Sequence, residues 1–187
     1  QDIYNFSIYT DYMWLICGLG NPGNKYSLTR HNVGFETINS LISFYNFKIS
    51  KKDKTIEYYK GAIGVQKCIL CKPLAYMNNS GPPINKLASF YKIPLSKIII
   101  IHDDLDLALS KVKIKIGGGN GGHNGLLSID NSIGKNYKRI RIGIDHPRIK
   151  SMVSSYVLEN FSKTDKELID KKINFLIKNF ELNFEDN

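Results

Sequence analysis

Residues 97–106 read KIIIIHDDLD. Four isoleucines in a row leave a strand no polar face, so this one is expected to be buried on both sides. Such a strand belongs inside a sheet covered by helices. The residues just past its carboxyl end stand where α/β sheets place their sites. Working outward, residues 13–17 (MWLIC) form a second short apolar run, ending in Gly18-Leu19-Gly20, and read as a buried strand entering a tight turn. Residues 29–44 fit a helix with Val33, Phe35, Ile38, Leu41 and Ile42 on one face. Residues 51–54 (KKDK) read as a polar loop, and 58–65 with 67–72 as a strand pair.

Ser80 offers an N-cap and Pro82 suits the first turn of a helix ending near Lys92, before Pro94. Residues 111–116 (KVKIKI) and 139–144 (RIRIGI) alternate strictly, so the basic residues share a solvent face and the apolar ones face the core. A helix over 126–133 and a last helix over 163–180 complete the pattern. Strands alternating with helices, with a hairpin among them, predict an α/β three-layer sandwich with a mixed, mostly parallel central sheet flanked by helices. The expected organisation is one domain over 13–187, preceded by an extension over 1–12 that has no signal-peptide form.

Composition narrows the function. With 187 residues, 42% hydrophobic and 23% charged, the chain is long enough for one core without staples and is neither disordered nor fibrous. No apolar run reaches the length of a membrane helix, so no membrane partner is expected. A formal charge of +9 points to a polyanionic partner, nucleic acid first. The excess is mostly lysine beside abundant Ile and Asn, so part of it reads as compositional bias. Three cysteines argue for a reducing compartment and against a disulfide framework. Cys68 and Cys71 form a C-x-x-C, but on a strand their thiols point to opposite faces, so neither a zinc nor a redox site is expected.

Five segments offer chemistry. Gly18–Gly23 (GLGNPG) matches G-x-G-x-x-G after a strand, but Pro22 and the delayed helix argue against a dinucleotide site. Residues 29–35 (TRHNVGF) place His31 at a helix start, where the positive helix end should lower the imidazole pKa and favour the neutral form a general base needs. His102, Asp103, Asp104 and Asp106 hold either a metal, an acidic turn, or a carboxylate that orients an imidazole. Residues 117–125 (GGGNGGHNG) let backbone approach a ligand closely, with His123 and Asn124 as the hydrogen-bonding side chains at the close. Residues 76–81 (YMNNSG) put two asparagines, Asn78 and Asn79, in a strand-to-helix loop, where an amide can recognise peptide-like groups or simply make a turn.

Taken together, GLGNPGNKYSLTRHNVGF (18–35), YMNNSG (76–81), HDDLDL (102–107), GGGNGGHNGL (117–126) and RIRIGIDHP (139–147) resemble the bacterial-type peptidyl-tRNA hydrolase family, in order and spacing, over residues 13–180. The resemblance implies an esterase that cleaves the bond between a peptide and the 3′ ribose of tRNA, with no metal and no cofactor. It implies His31 as general base, Asp103 as the group that orients and stabilises its imidazole, and Asn21 as a substrate-positioning residue. It also implies that Asn78 and Asn124 contact the peptide main chain and the tRNA end, with Tyr26 and Tyr76 beside that end. Lys113, Lys115, Arg139 and Arg141, on two alternating strands, are placed to grip tRNA phosphates.

The sequence departs from the family at Asn120, often His, and at Asp104, often Glu. Residues 147–161, where the family has a lid, match loosely. A monomer in the cytoplasm, or in an organelle after loss of a leader, is expected. The competing readings are an RNA-binding relative without strong hydrolysis, a metal-dependent hydrolase built on His102, Asp103, Asp104 and Asp106, and a dinucleotide oxidoreductase.

Overall fold

The computed structural model describes residues 13–184; the expected extension over 1–12 lies outside them. Among the described residues, seven strands form one sheet in the order β2-β3-β4-β1-β5-β7-β6. They are β1 (Trp14–Gly18), β2 (Lys48–Lys52), β3 (Ile56–Ile63), β4 (Gln66–Pro73), β5 (Ile98–Asp104), β6 (Val112–Ile116) and β7 (Lys138–Gly143). The four central strands, β4, β1, β5 and β7, run parallel. On one side β3 pairs antiparallel with β4 and β2 antiparallel with β3, and on the other β6 pairs antiparallel with β7. The sheet is therefore mixed, as expected, with its parallel part in the middle.

Helices α1 (Val33–Phe44) and α5 (Lys163–Lys178) cover one face, and α2 (Gly81–Phe90) and α3 (Asn124–Ile133) the other. The isoleucine run shows why two layers are needed. Ile99 and Ile101 enter the core under α1 and α5, while Ile98 and Ile100 enter the core under α2 and α3. Cys68 and Cys71 divide between the same two cores, and Cys71 stands opposite Cys17 on the neighbouring strand. All three thiols are free and buried.

The glycines of the first motif serve packing. A methyl group added at Gly18 would stand 2.1 Å from the Gly34 carbonyl oxygen, and one at Gly34 would stand 2.5 Å from the Ile101 carbonyl oxygen. This contact presses the start of α1 against the ends of β1 and β5. Between Gly23 and α1 the chain makes two 3-10 turns, Asn24–Tyr26 and Arg30–Asn32, instead of opening a helix at the third glycine. The expected helix from residue 29 thus begins at Val33, with His31 in the turn before it.

Three other expectations need correction. Lys51 and Lys52 belong to β2, an exposed edge strand, and not to a loop. Ile114 and Ile116 do not face the core: they are 44% and 54% exposed, because β6 is an edge strand beyond the cover of α5. Ser80 occupies the N-cap of α2, but its hydroxyl donates to the Met77 carbonyl and caps no helical N–H.

Candidate active site

The carboxyl end of β5 delivers Asp103, nearly fully buried, to the centre of the site. The turn before α1 brings His31 to it, and the end of the glycine-rich loop brings His123. His31 Nδ1 lies 2.9 and 2.8 Å from the two Asp103 carboxylate oxygens. His123 Nε2 lies 2.9 Å from Oδ1 of the same carboxylate. The two imidazole centroids are 5.0 Å apart.

Hydrogen bonding fixes the tautomer of His123. Its Nδ1 accepts from the backbone N–H groups of Gly125 and Leu126, at 3.1 and 3.3 Å, and so caps α3. Nδ1 therefore carries no proton, and Nε2–H donates to Asp103. Asp103, as a carboxylate, only accepts, so His31 donates to it from Nδ1–H. In neutral His31 that leaves Nε2 as a lone pair.

The electrostatics follow. Burial alone would raise the Asp103 pKa, but electrostatic attraction to His31 and His123, and the hydrogen bonds they donate, hold it well below the ordinary carboxylate range. Burial alone would lower His31, but the charge and hydrogen bond of Asp103 outweigh it and move His31 above the ordinary histidine value. The lowering expected from a helix start is thus reversed: His31 precedes α1 in a 3-10 turn, and a carboxylate at 2.8 Å dominates. His102 behaves differently. It is buried on β5, its Nδ1 donates to the Asp103 carbonyl, and burial, then His123, push it down to about 3.

Asn21 is held by three bonds. Its N–H donates to Asn32 Oδ1 and its carbonyl accepts from Asn32 Nδ2, each at 2.9 Å. Its own Oδ1 accepts from the Met77 N–H at 2.8 Å. Asn21 Nδ2 is left without a partner among the described residues, which makes it a donor. The Met77 bond also restrains Tyr76, whose backbone is in a left-handed region (φ 59°, ψ 161°) rare for a side-chain-bearing residue. The Tyr76 ring is exposed and meets Tyr26 edge-on at 6.5 Å.

A cavity of about 1070 Å³ opens over these groups. Asn21, His31, Asp103, His123, Tyr76, Asn78 and Asn124 line it, as do Lys115, Arg141 and Lys150. Tyr26 stands behind Tyr76, and Lys113 is exposed on β6, paired in register with Arg141. Arg141 is half-buried and donates to Asp104 at 2.7 Å.

Arg139 needs correction as a phosphate grip. It is 2% exposed, pairs with Asp130 at 3.1 Å, and donates to the carbonyls of Gly118 and Gly119 at 3.0 and 2.7 Å. Alternation put it on the face of Arg141, but the glycine-rich loop folds over it. Nor does the acidic cluster of the competing metal reading assemble. Asp104 turns to Arg141, and Asp106 is exposed. Among the described residues, the ligand-type atoms that gather within 4.8 Å belong to His31, Asp103 and His123.

Sequence reasoning missed His123 as a partner of Asp103, Asn32 as the clamp on Asn21, and Lys150 on the cavity wall. His123 and Asn32 were visible in the motifs, but nothing in their spacing says what they touch.

Fold and site define an α/β protein whose cavity holds a buried carboxylate shared by two imidazoles. A family model for peptidyl-tRNA hydrolase matches residues 15–187. A peptidyl-tRNA hydrolase of Rickettsia bellii is 48% identical over 175 residues, covering 93% of this chain and 95% of its own. One from a Wolbachia strain is 43% identical over 171 residues, covering 89% and 94%. The solved structure of an Acinetobacter baumannii peptidyl-tRNA hydrolase superposes with a TM-score of 0.88 at 38% identity, covering 92% of this chain and 88% of that one. The chain belongs to the peptidyl-tRNA hydrolase family.

Proposed function

We propose that this chain hydrolyses the ester between a peptide, or an N-blocked amino acid, and the 3′ ribose of tRNA, with His31 as general base. The observation that carries the reading is the His31–Asp103 pair, because a donated Nδ1–H frees Nε2 to take a proton from water. Water oxygen bonds to the ester carbonyl carbon as its proton passes to His31. The C–O bond to the ribose then breaks, and the imidazolium returns the proton to the ribose oxygen. Asp103 remains ionised and stabilises the imidazolium. General-base catalysis of this kind supplies roughly 10²–10⁴-fold.

On this reading Asn21 Nδ2 donates to the ester carbonyl, and the loss of one such donor costs about 3 kcal/mol in activation energy. Asn78 and Asn124 offer amides to the peptide main chain and the tRNA end, with Tyr26 and Tyr76 beside that end. Lys113, Lys115 and Arg141 meet tRNA phosphates, and Arg139 anchors the loop. The reaction needs no metal on this reading. A metal on His123 Nε2 would require its Nδ1 to carry the proton, where Gly125 and Leu126 already donate. The enzyme acts as a monomer in the cytoplasm, the compartment of its substrate; no helix of the described residues is long and apolar enough to cross a membrane.

The test is cleavage of N-blocked aminoacyl-tRNA by wild type and His31→Ala, with and without EDTA. Cleavage that ignores EDTA and dies with His31 is the expected result. Tight tRNA binding without cleavage would make the chain an RNA-binding relative, and loss of cleavage in EDTA would restore a metal.

A further inference from the structure

Arg30 precedes His31 in the chain, yet its side chain turns toward residues 156–161. Its guanidinium lies 4.1 Å from the centroid of the Tyr156 ring and 5.5 Å from that of Phe161. Nη1 donates to the carbonyls of Tyr156 and Glu159, both at 3.3 Å, and approaches the Glu159 carboxylate at 3.6 Å. The Arg30 N–H donates to the Glu159 carbonyl at 3.0 Å, and Thr29 forms an isolated β-bridge with Asn160. From the other side, Tyr156 Oη donates to the Ile144 carbonyl at 2.7 Å, just past β7.

The residues before Tyr156 are fastened differently. Among the described residues, the hydrogen bonds of 146–155 are local: His146 to Asp145, Arg148 to His146, Met152 to Ile149 and Ser155 to Met152. This stretch and the short helix α4 (Val153–Val157) nevertheless supply Lys150, Val153, Ser154 and Val157 to the cavity wall. One end of the wall is therefore tied by hydrogen bonds to the turn that carries His31, and among the described residues the rest makes only local ones.

We infer that Arg30 is the pivot of this wall, a positioning residue that holds Tyr156 and Glu159 against the His31 turn and so sets where 146–155 stands over the cavity that takes the ester. The inference rests on the hydrolase reading of the cavity. Lysine cannot replace the arginine here, since it lacks the planar fork that stacks on Tyr156 while donating to carbonyls. The pivot acts on the wall and not on His31, whose Nδ1 Asp103 fixes independently.

Arg30→Lys and Tyr156→Phe, the latter losing only the Ile144 bond, test it. Amide hydrogen exchange of the free enzyme is read with kcat and KM on N-blocked aminoacyl-tRNA. Exchange over 150–159 should rise about tenfold in Arg30→Lys and less in Tyr156→Phe, with β1 and β5 unchanged. In Arg30→Lys, KM should rise about tenfold while kcat and its acid-limb pKa hold. A fall in kcat at constant KM, or a moved acid limb, would put Arg30 on His31 itself and overturn the pivot. Faster exchange throughout the sheet, or none over 150–159, would overturn it too. Exchange needs no turnover, so it decides the pivot even if wild type proves unable to cleave the ester.

Discussion

His31 and His123 share one carboxylate. Each imidazole donates a ring N–H to Asp103, one from Nδ1 and the other from Nε2, with their centroids 5.0 Å apart. The two rings hold Asp103 from separate elements, so its orientation does not depend on His31 alone. His31 keeps the ring nitrogen that reacts, while both nitrogens of His123 are used within the fold.

The pH profile tests this arrangement. His31 is raised above its ordinary value, so it is protonated and inactive as a base below that point. The rate should climb as pH rises through it. In Asp103→Asn the raising charge is gone and burial acts unopposed, so the acid limb should move to lower pH. The plateau kcat should also fall by about 10²–10⁴-fold, since the imidazolium loses its counter-charge. An acid limb that stays in place on kcat/KM profiles would remove Asp103 from this role.

His123 has two jobs that substitution can separate. His123→Ala loses the cap on α3 and the bond to Asp103, and should cost about 1 kcal/mol of stability together with activity. His123→Asn keeps a capping side chain but is too short to repeat the Asp103 bond. It should recover most of the stability in thermal unfolding and little of the rate. Recovery of both would mean His123 serves the helix alone.

Arg139 and the β6 lysines should behave oppositely. Lys113→Ala with Lys115→Ala should weaken tRNA binding and flatten its salt dependence by about one to two units of slope. Arg139→Ala leaves Asp130 buried without its partner and the Gly118 and Gly119 carbonyls undonated. It should destabilise the fold by about 3–5 kcal/mol, with the salt slope unchanged. A flattened slope in a folded Arg139 variant would return it to the phosphate-binding set.

Gly34→Ala tests the packing that brings His31 to Asp103. The added methyl meets the Ile101 and Leu19 backbones at 2.5 Å, where no side chain can yield. A cost of about 1–3 kcal/mol is expected, with a larger loss of kcat than of tRNA affinity. Full activity at a wild-type melting temperature would show that α1 can stand off without moving the base.

The isoleucine run, the alternating strands and the helix periodicities were legible because each is a local pattern that burial writes directly. His31, Asp103 and Asn124 stand out in the motifs themselves, and Asn21 and Asn78 through the family resemblance those motifs carry; all five line one cavity. What escaped depends on topology. Nothing in KVKIKI says that β6 is an edge strand, so Ile114 and Ile116 were assigned to the core. Nothing in RIRIGI says that a glycine-rich loop will take up the guanidinium of Arg139, which lines the cavity only as a buried, fully engaged residue, while Arg141, two residues on, stays only half-buried there. The direction of the His31 shift was missed for a similar reason. It depends on a carboxylate 72 positions away, and the helix start beside it is the weaker influence.

The three cysteines lead to a practical end. Burial pushes Cys17 up and Cys68 up to about 12, and Cys71 lies in the same core as Cys17. Thiol reagents need exposed thiolate, so the native enzyme should stay unlabelled. A cysteine placed at Met152, on the exposed outer part of the cavity wall, would then be the single reactive handle on the molecule. A fluorophore there would report the position of the wall, with and without tRNA, in the otherwise natural enzyme and with no native cysteine removed.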